Sequence, residues 1–189
     1  MKNFKSIAVA LVMALGTLTA SAQKTTKVNV EKSTIEWVGK KVTGQHNGTI
    51  NFSAGALVFD GKKLKGGEFT VNMNSLTATD LSGNGKDKLN GHLKADDFFG
   101  TDKYPTADLK FKTIAAKANN VYTVTADLTI KGITKPVTFD LTVGTNTATT
   151  SFKVDRTKYD IKYGSGSFFD GLGDKAINDD FELTVKLVF

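Results

Sequence analysis

VYTVTADLTIKGITKPVTFDLTV, Val121–Val143, is the stretch that decides the fold. Its first half puts Tyr122, Val124, Ala126, Leu128 and Ile130 on one face and Thr123, Thr125, Asp127 and Thr129 on the other. Its second half sets Val137, Phe139, Leu141 and Val143 against Thr138, Asp140 and Thr142. Side chains alternate across a strand with period two, so each half reads as a strand with one buried face. Lys131-Gly132 between them is a turn signal, and so short a connection makes the pair an antiparallel hairpin.

The same alternation recurs along the chain. Ile35, Trp37 and Gly39 oppose Thr34, Glu36 and Val38, and Phe69, Val71 and Met73 oppose Glu68, Thr70 and Asn72. Leu109 and Phe111, Phe152 and Val154, and Phe181, Leu183, Val185 and Leu187 mark three further one-sided strands. Ile50 to Phe59 is extended but is interrupted by Ser53-Ala54-Gly55, a bulge or bend signal. Asp60-Gly61, Gly66-Gly67, Asn119-Asn120 and Gly144-Thr145-Asn146 are turn signals, and GKKLKGG reads as a β-turn without the strand–loop–helix setting of a phosphate cradle.

The count is about eight half-buried strands, whose apolar faces must cover one another. A two-sheet sandwich and a barrel closed on itself both do this, and closure also removes exposed edges. An eight-stranded barrel has an interior that side chains just fill, or that holds one small ligand. One segment breaks the pattern. Lys86–Ala95, KDKLNGHLKA, spaces Leu89 and Leu93 as a short helix. It lies in a long insertion, Leu81–Tyr104, between strands three and four. Long loops in compact domains tend to carry function.

The first 22 residues are expected to be a cleaved signal peptide. Lys2 and Lys5 precede an apolar run from Ile7 to Leu18, and Ala20-Ser21-Ala22 supplies a small-x-small cleavage site. The run is too short for a membrane-spanning helix. Residues 23–189 are then one exported domain, with a periplasmic destination suited to a chain that has no cysteine. The formal charge is +6, two units of it from Lys2 and Lys5, and the lysines are spread along the chain. Such a surface gives no nucleic-acid patch. The two histidines show neither HExxH nor His-x-His spacing, so no metal site is expected. No GxSxG elbow is present either, and the chain is read as a binding protein, not an enzyme.

Two aromatic pairs stand outside the strands. Phe98-Phe99 follows Asp96-Asp97, and Phe168-Phe169 lies in the glycine-rich GSGSFFDGLGD. They are either plugs of a filled core or groups closing over a guest. Arg156 is the only arginine of the chain, which points to a geometric need such as a bidentate carboxylate or phosphate contact. Its simpler reading is an ion pair with Asp155, Asp127 or Asp140.

Several stretches resemble the YceI family of exported proteins: IEWVGKKVTGQHNGTI, GGEFTVNMNSL, HLKADDFFGTDKYPTADLKF, LTIKGITKPVTFDL, FKVDRTKYDIKYG and INDDFELTVKL. The resemblance implies an eight-stranded, antiparallel, lipocalin-like barrel. It also implies a guest: some members hold a long isoprenoid or similar amphiphile, and an isoprenoid quinone would suit the same tunnel. Under it the expected lumen is Trp37, Ile50, Phe52, Leu57, Phe59, Phe69, Val71, Met73, Leu109, Phe111, Leu128, Ile130, Phe139, Phe152 and Phe181. Leu93, Phe98, Phe99, Phe168 and Phe169 are expected at its rim, and His46, His92 and Arg156 near a polar head group. The implied role is a carrier or storage protein, monomeric or homodimeric, with transient membrane contact. A ligand-free structural barrel, and an accessory that presents an isoprenoid to a membrane enzyme, remain alternatives.

Overall fold

The computed structural model describes residues 23–189; the expected signal peptide lies outside the described residues. The strands are β1 (Lys24–Lys27), β2 (Thr34–Lys41), β3 (Gly44–Asp60), β4 (Lys63–Ala78), β5 (Thr106–Ala116), β6 (Val121–Ile130), β7 (Ile133–Val143), β8 (Thr147–Asp155) and β9 (Ile177–Val188). Helix α1 (Gly83–Lys94) joins β4 to β5, and short 3₁₀ turns lie at Arg156–Tyr159 and Gly173–Lys175. Strands β2 to β9 form a closed eight-stranded antiparallel barrel, sealed by the pairing of β3 with β4. Strand β1 adds to the far end of β3 without entering the closure. Within the barrel the helix therefore falls between the third and fourth strands.

The alternation of the sequence is the alternation of burial. Along β6, Tyr122, Val124, Ala126, Leu128 and Ile130 are buried, and the threonines between them are only half-buried. Lys131 and Gly132 both take positive φ, 52° and 73°, as do Asn119 and Asn120 at 58° each. Positive φ at both central residues is the primed turn that matches strand twist. Ser53-Ala54-Gly55 coincides with a register shift between Phe52 and Ala54.

Gly66-Gly67 is a correction: both lie inside β4, not at a turn. A Cβ on Gly67 would sit 2.6 Å from the Phe111 ring, so the missing side chain lets that ring lie flat against the strand. The turn itself is at Gly61, with φ 58°.

Because the strands run alternately up and down, the connections after β2, β4, β6 and β8 share one end of the barrel, here called the upper end. Both long connections, 79–105 and 156–176, fall there. Helix α1 lies over that end, with Leu93 buried beneath it. Asn90 ties it to β4: its Oδ1 accepts from the Ala78 N–H at 2.8 Å and its Nδ2 donates to Thr77 Oγ1 at 3.1 Å. Lys131 Nζ donates to the Asp96 carbonyl at 2.9 Å and pins the insertion to the β6–β7 turn.

Candidate functional site

The lumen holds two neighbouring cavities. The upper one is about 140 Å³ and is walled by Ile35, Trp37 and Gly39 of β2, Ile50 of β3, and Val71, Met73 and Leu76 of β4. Ala107, Leu128, Ile130, Phe181 and Leu183 complete its wall, and Leu93, Phe98 and Phe99 roof it. The lower one is about 90 Å³ and is bounded by Phe52, Phe69, Leu109, Phe111, Phe139, Leu141 and Phe152. Ile35, Val71, Ala107, Leu128 and Leu183 belong to both and form the partition. Five rings run in contact around the lower chamber: Phe52 to Phe69 at 6.0 Å between centroids, Phe69 to Phe111 at 5.7 Å, Phe111 to Phe139 at 6.1 Å and Phe139 to Phe152 at 4.7 Å.

The roof is made by the first aromatic pair, and its two members differ. Phe98 is buried, with the His92 ring at 5.4 Å and the Arg156 guanidinium carbon 5.7 Å from its centroid. Phe99 is only half-buried and meets Phe181 edge to face at 6.1 Å. The wall is interrupted beside them. Strands β2 and β9 pair at Gly39↔Phe181 and next at Lys41↔Ile177, leaving Asn178, Asp179 and Asp180 opposite Lys40 alone. Gly39 is on the inward face, and a Cβ built on it finds nothing within 4 Å.

Arg156 sits at the top of the upper cavity and is buried to 2% exposure. Its Nε donates to the Asn178 carbonyl at 3.0 Å, Nη1 to the Ile161 and Tyr163 carbonyls at 2.8 and 2.9 Å, and Nη2 to the Ile177 carbonyl at 3.0 Å. Its nearest carboxylate is Asp179 at 3.8 Å, not Asp127 or Asp140. Burial pulls its pKa below the ordinary arginine value, with Asp179 and Asp155 opposing. Burial also works against the Asp179 carboxylate, but the Ser165 and Ser167 hydroxyls and Arg156 hold its pKa below the usual range. With four of its five N–H groups committed to main-chain carbonyls, the guanidinium fixes the bulged start of β9 where strand pairing is missing.

Other expected site residues lie elsewhere. His46 pairs with Gly39 at the upper end of β3 and shares its inward parity, but it lines neither cavity; its Nδ1 is 2.8 Å from Asp80 Oδ2 at the rim. Phe168 and Phe169 are half exposed and line neither cavity. Phe59 packs on Phe189 at the lower end, 5.8 Å between ring centroids, and Leu57 is fully buried outside both cavity walls. His92 lies behind the roof against Tyr163, ring centroids 4.5 Å apart, and its buried Nε2 has no hydrogen-bond partner. Alternation tells inside from outside but gives no height along the barrel, and the two loop pairs have no period at all.

The YceI-like domain matches residues 27–189. The chain belongs to the YceI family. A UPF0312 protein of Shewanella denitrificans is 37% identical over 91 residues, which are 48% of this chain and 46% of that protein. The chain thus spans about half the length of the curated relatives it matches. Among solved structures, BcnA of Burkholderia cenocepacia superposes with a TM-score of 0.69 at 27% identity, covering 86% of this chain and 99% of that one. A polyisoprenoid binding domain from Saccharophagus degradans, implicated in plant cell wall breakdown, superposes at 0.58 over 85% of this chain and 95% of its own. Its identity is 15%, so that likeness is one of fold.

In this YceI barrel, Ile35, Gly39, Leu76, Ala107 and Leu183 join the upper wall beyond the expected set. Ile35, Gly39 and Leu183 carried a signal, since each lies on the apolar parity of its strand. So does Ala107, two residues before Leu109; Leu76 carried none, being off the parity of Phe69, Val71 and Met73 beyond an irregularity in the β3–β4 register. Among the described residues no cluster of three or more His, Asp or Glu is placed to hold a metal ion.

Proposed function

We propose that this protein is an exported carrier that holds the apolar chain of an isoprenoid or other amphiphile in its lumen. The observation that carries the reading is the wall itself: two adjoining chambers bounded almost wholly by aliphatic and aromatic groups, with polar residues confined to the upper rim and to Asp108 and Thr150 of the lower chamber. The polyisoprenoid-binding domain of the same fold supports it. Export to the periplasm, with cleavage after Ala22, belongs to the same proposal.

The volumes set the scale. A cavity of about 150 Å³ takes one benzene, so the two chambers accommodate roughly nine carbons before any ring moves. At ~0.8 kcal/mol per methylene-sized group, that is about 7 kcal/mol before ordering costs. A longer tail must displace Phe99 or Phe181, or protrude. The same small volumes favour one competing reading, a filled barrel without a guest.

Native mass spectrometry of the protein purified from its own periplasm, followed by organic extraction, separates the two. A stoichiometric, extractable amphiphile on a polypeptide that begins at Gln23 is the expected result. A bare polypeptide that takes up neither farnesol nor xenon would leave the filled barrel standing.

A further inference from the structure

The barrel is not evenly sealed. Strands β7 and β8 pair only at Thr142↔Thr149 and Val143↔Ala148, whereas β6 and β7 pair along their whole length from Val121↔Thr142 to Ile130↔Ile133. Continuing the β7–β8 register places Asp140 opposite Ser151 and Phe139 opposite Phe152. Those positions carry no ladder. The Thr150 hydroxyl donates to the Asp140 carbonyl at 2.7 Å where a main-chain bond would be. Above it the two rings stack nearly parallel, 18° apart with centroids at 4.7 Å. Pro136, further up β7, has no N–H to add to a ladder, and proline in strands belongs to edges. Above the rings the Arg156–Tyr159 turn packs beside β7, with Tyr159 and Ile161 buried.

The unpaired stretch opens onto both sides of the wall. Phe139, Thr150 and Phe152 line the lower chamber, and Phe152 and Thr150 are half-buried, not buried. Outside, Asp140, Thr142, Thr149, Thr150 and Ser151 line a surface groove, so Thr150 faces the groove and the chamber alike. Here the barrier between solvent and the deepest apolar space is a pair of rings and not a hydrogen-bonded ladder.

We infer that this seam is a lateral entrance through which the apolar chain of a guest reaches the lower chamber, with the Phe139–Phe152 stack as its gate. The inference rests on the carrier reading above and adds the route to it. Opening requires two side chains to swing and breaks no strand pairing, so it needs far less than unzipping any other seam. It also supplies room for a tail longer than the two chambers, which would leave the barrel between the rings.

The chain has no native cysteine, so a staple can be placed without interference. Asp140→Cys with Ser151→Cys joins two outward, opposed positions one residue from the rings. Lys110→Cys with Asp127→Cys across the fully paired β5–β6 ladder is the control. Stopped-flow fluorescence follows uptake of N-phenyl-1-naphthylamine by the purified protein, and farnesol displaces it. The oxidised seam staple is expected to slow uptake at least tenfold against the same protein reduced, with the control pair indifferent to redox state. Phe152→Ala, which needs no cross-link, is expected to speed uptake several-fold. Equal rates in the oxidised and reduced seam variant, or no acceleration in Phe152→Ala, would overturn the entrance while leaving the carrier intact. Failure of the unmodified protein to take up either compound at equilibrium would instead remove the carrier reading and the entrance with it.

Discussion

Arg156 Nη1 donates to the carbonyl of Ile161 at 2.8 Å, inside a turn whose own strand has just ended. The same guanidinium holds the Tyr163, Ile177 and Asn178 carbonyls, so one side chain stitches the 156–163 segment to the bulged start of β9. Its substitution should therefore be read in stability before affinity. Arg156→Lys keeps the charge but loses the planar fork, leaving buried carbonyls without donors. A loss of at least about 3 kcal/mol is expected in denaturant melts. Anionic and neutral guests should weaken alike; a selective loss of anionic guests at unchanged stability would restore Arg156 as a head-group contact.

The two rings of the first aromatic pair should separate in their effects. Phe98 is buried against His92 and Arg156, and Phe98→Ala should cost about 3 kcal/mol. Phe99 is half-buried over the cavity, and Phe99→Ala should cost clearly less while changing guest affinity or release rate. Thermal melts beside farnesol titrations check this. Equal destabilisation by the two, with no change in binding, would make the pair a simple core plug.

Gly39→Val should stabilise the protein by about 1 kcal/mol, since glycine weakens a strand and the inward Cβ meets open space. It should also shrink the upper cavity and weaken farnesol binding. A destabilised Gly39→Val with undiminished binding would show that the space at Gly39 is not part of the guest's path.

Tyr159 presents a buried hydroxyl with no hydrogen-bond partner, and burial, followed by Asp155, pushes its pKa up to about 12. Its folded value lies above the ordinary 10.0, so its contribution to stability is complete below pH 10 and is lost as pH rises through about 12. Tyr159→Phe removes both the orphan hydroxyl and the titration. It should gain about 1 kcal/mol near neutral pH and lose the late tyrosinate absorbance step in a spectrophotometric titration. A destabilised Phe variant would reveal a partner for the hydroxyl, such as a bound water.

The strands, their inward faces and the tight turns follow from the order of residues, because period-two alternation is a local property and burial acts on it residue by residue. Val121–Val143 alone carries a hairpin, and its repetition forces closure of the apolar faces on each other. The lumen's identity followed too, for Trp37, Val71, Met73, Leu128 and Phe181. What alternation cannot carry is height, loop position and the quality of each seam. Phe59 has the right parity but sits at the lower end; His46 has inward parity but sits at the upper rim against Asp80; Phe168 and Phe169 turn to solvent because no strand constrains them. Arg156 meets main-chain carbonyls rather than a carboxylate partner because the irregular 161–163 segment and the bulged start of β9 meet beside it. The parting of β7 from β8 is decided in the same way: two phenylalanines that are each ordinary inward residues become opposed only when their strands are brought together, and there they take the place of hydrogen bonds.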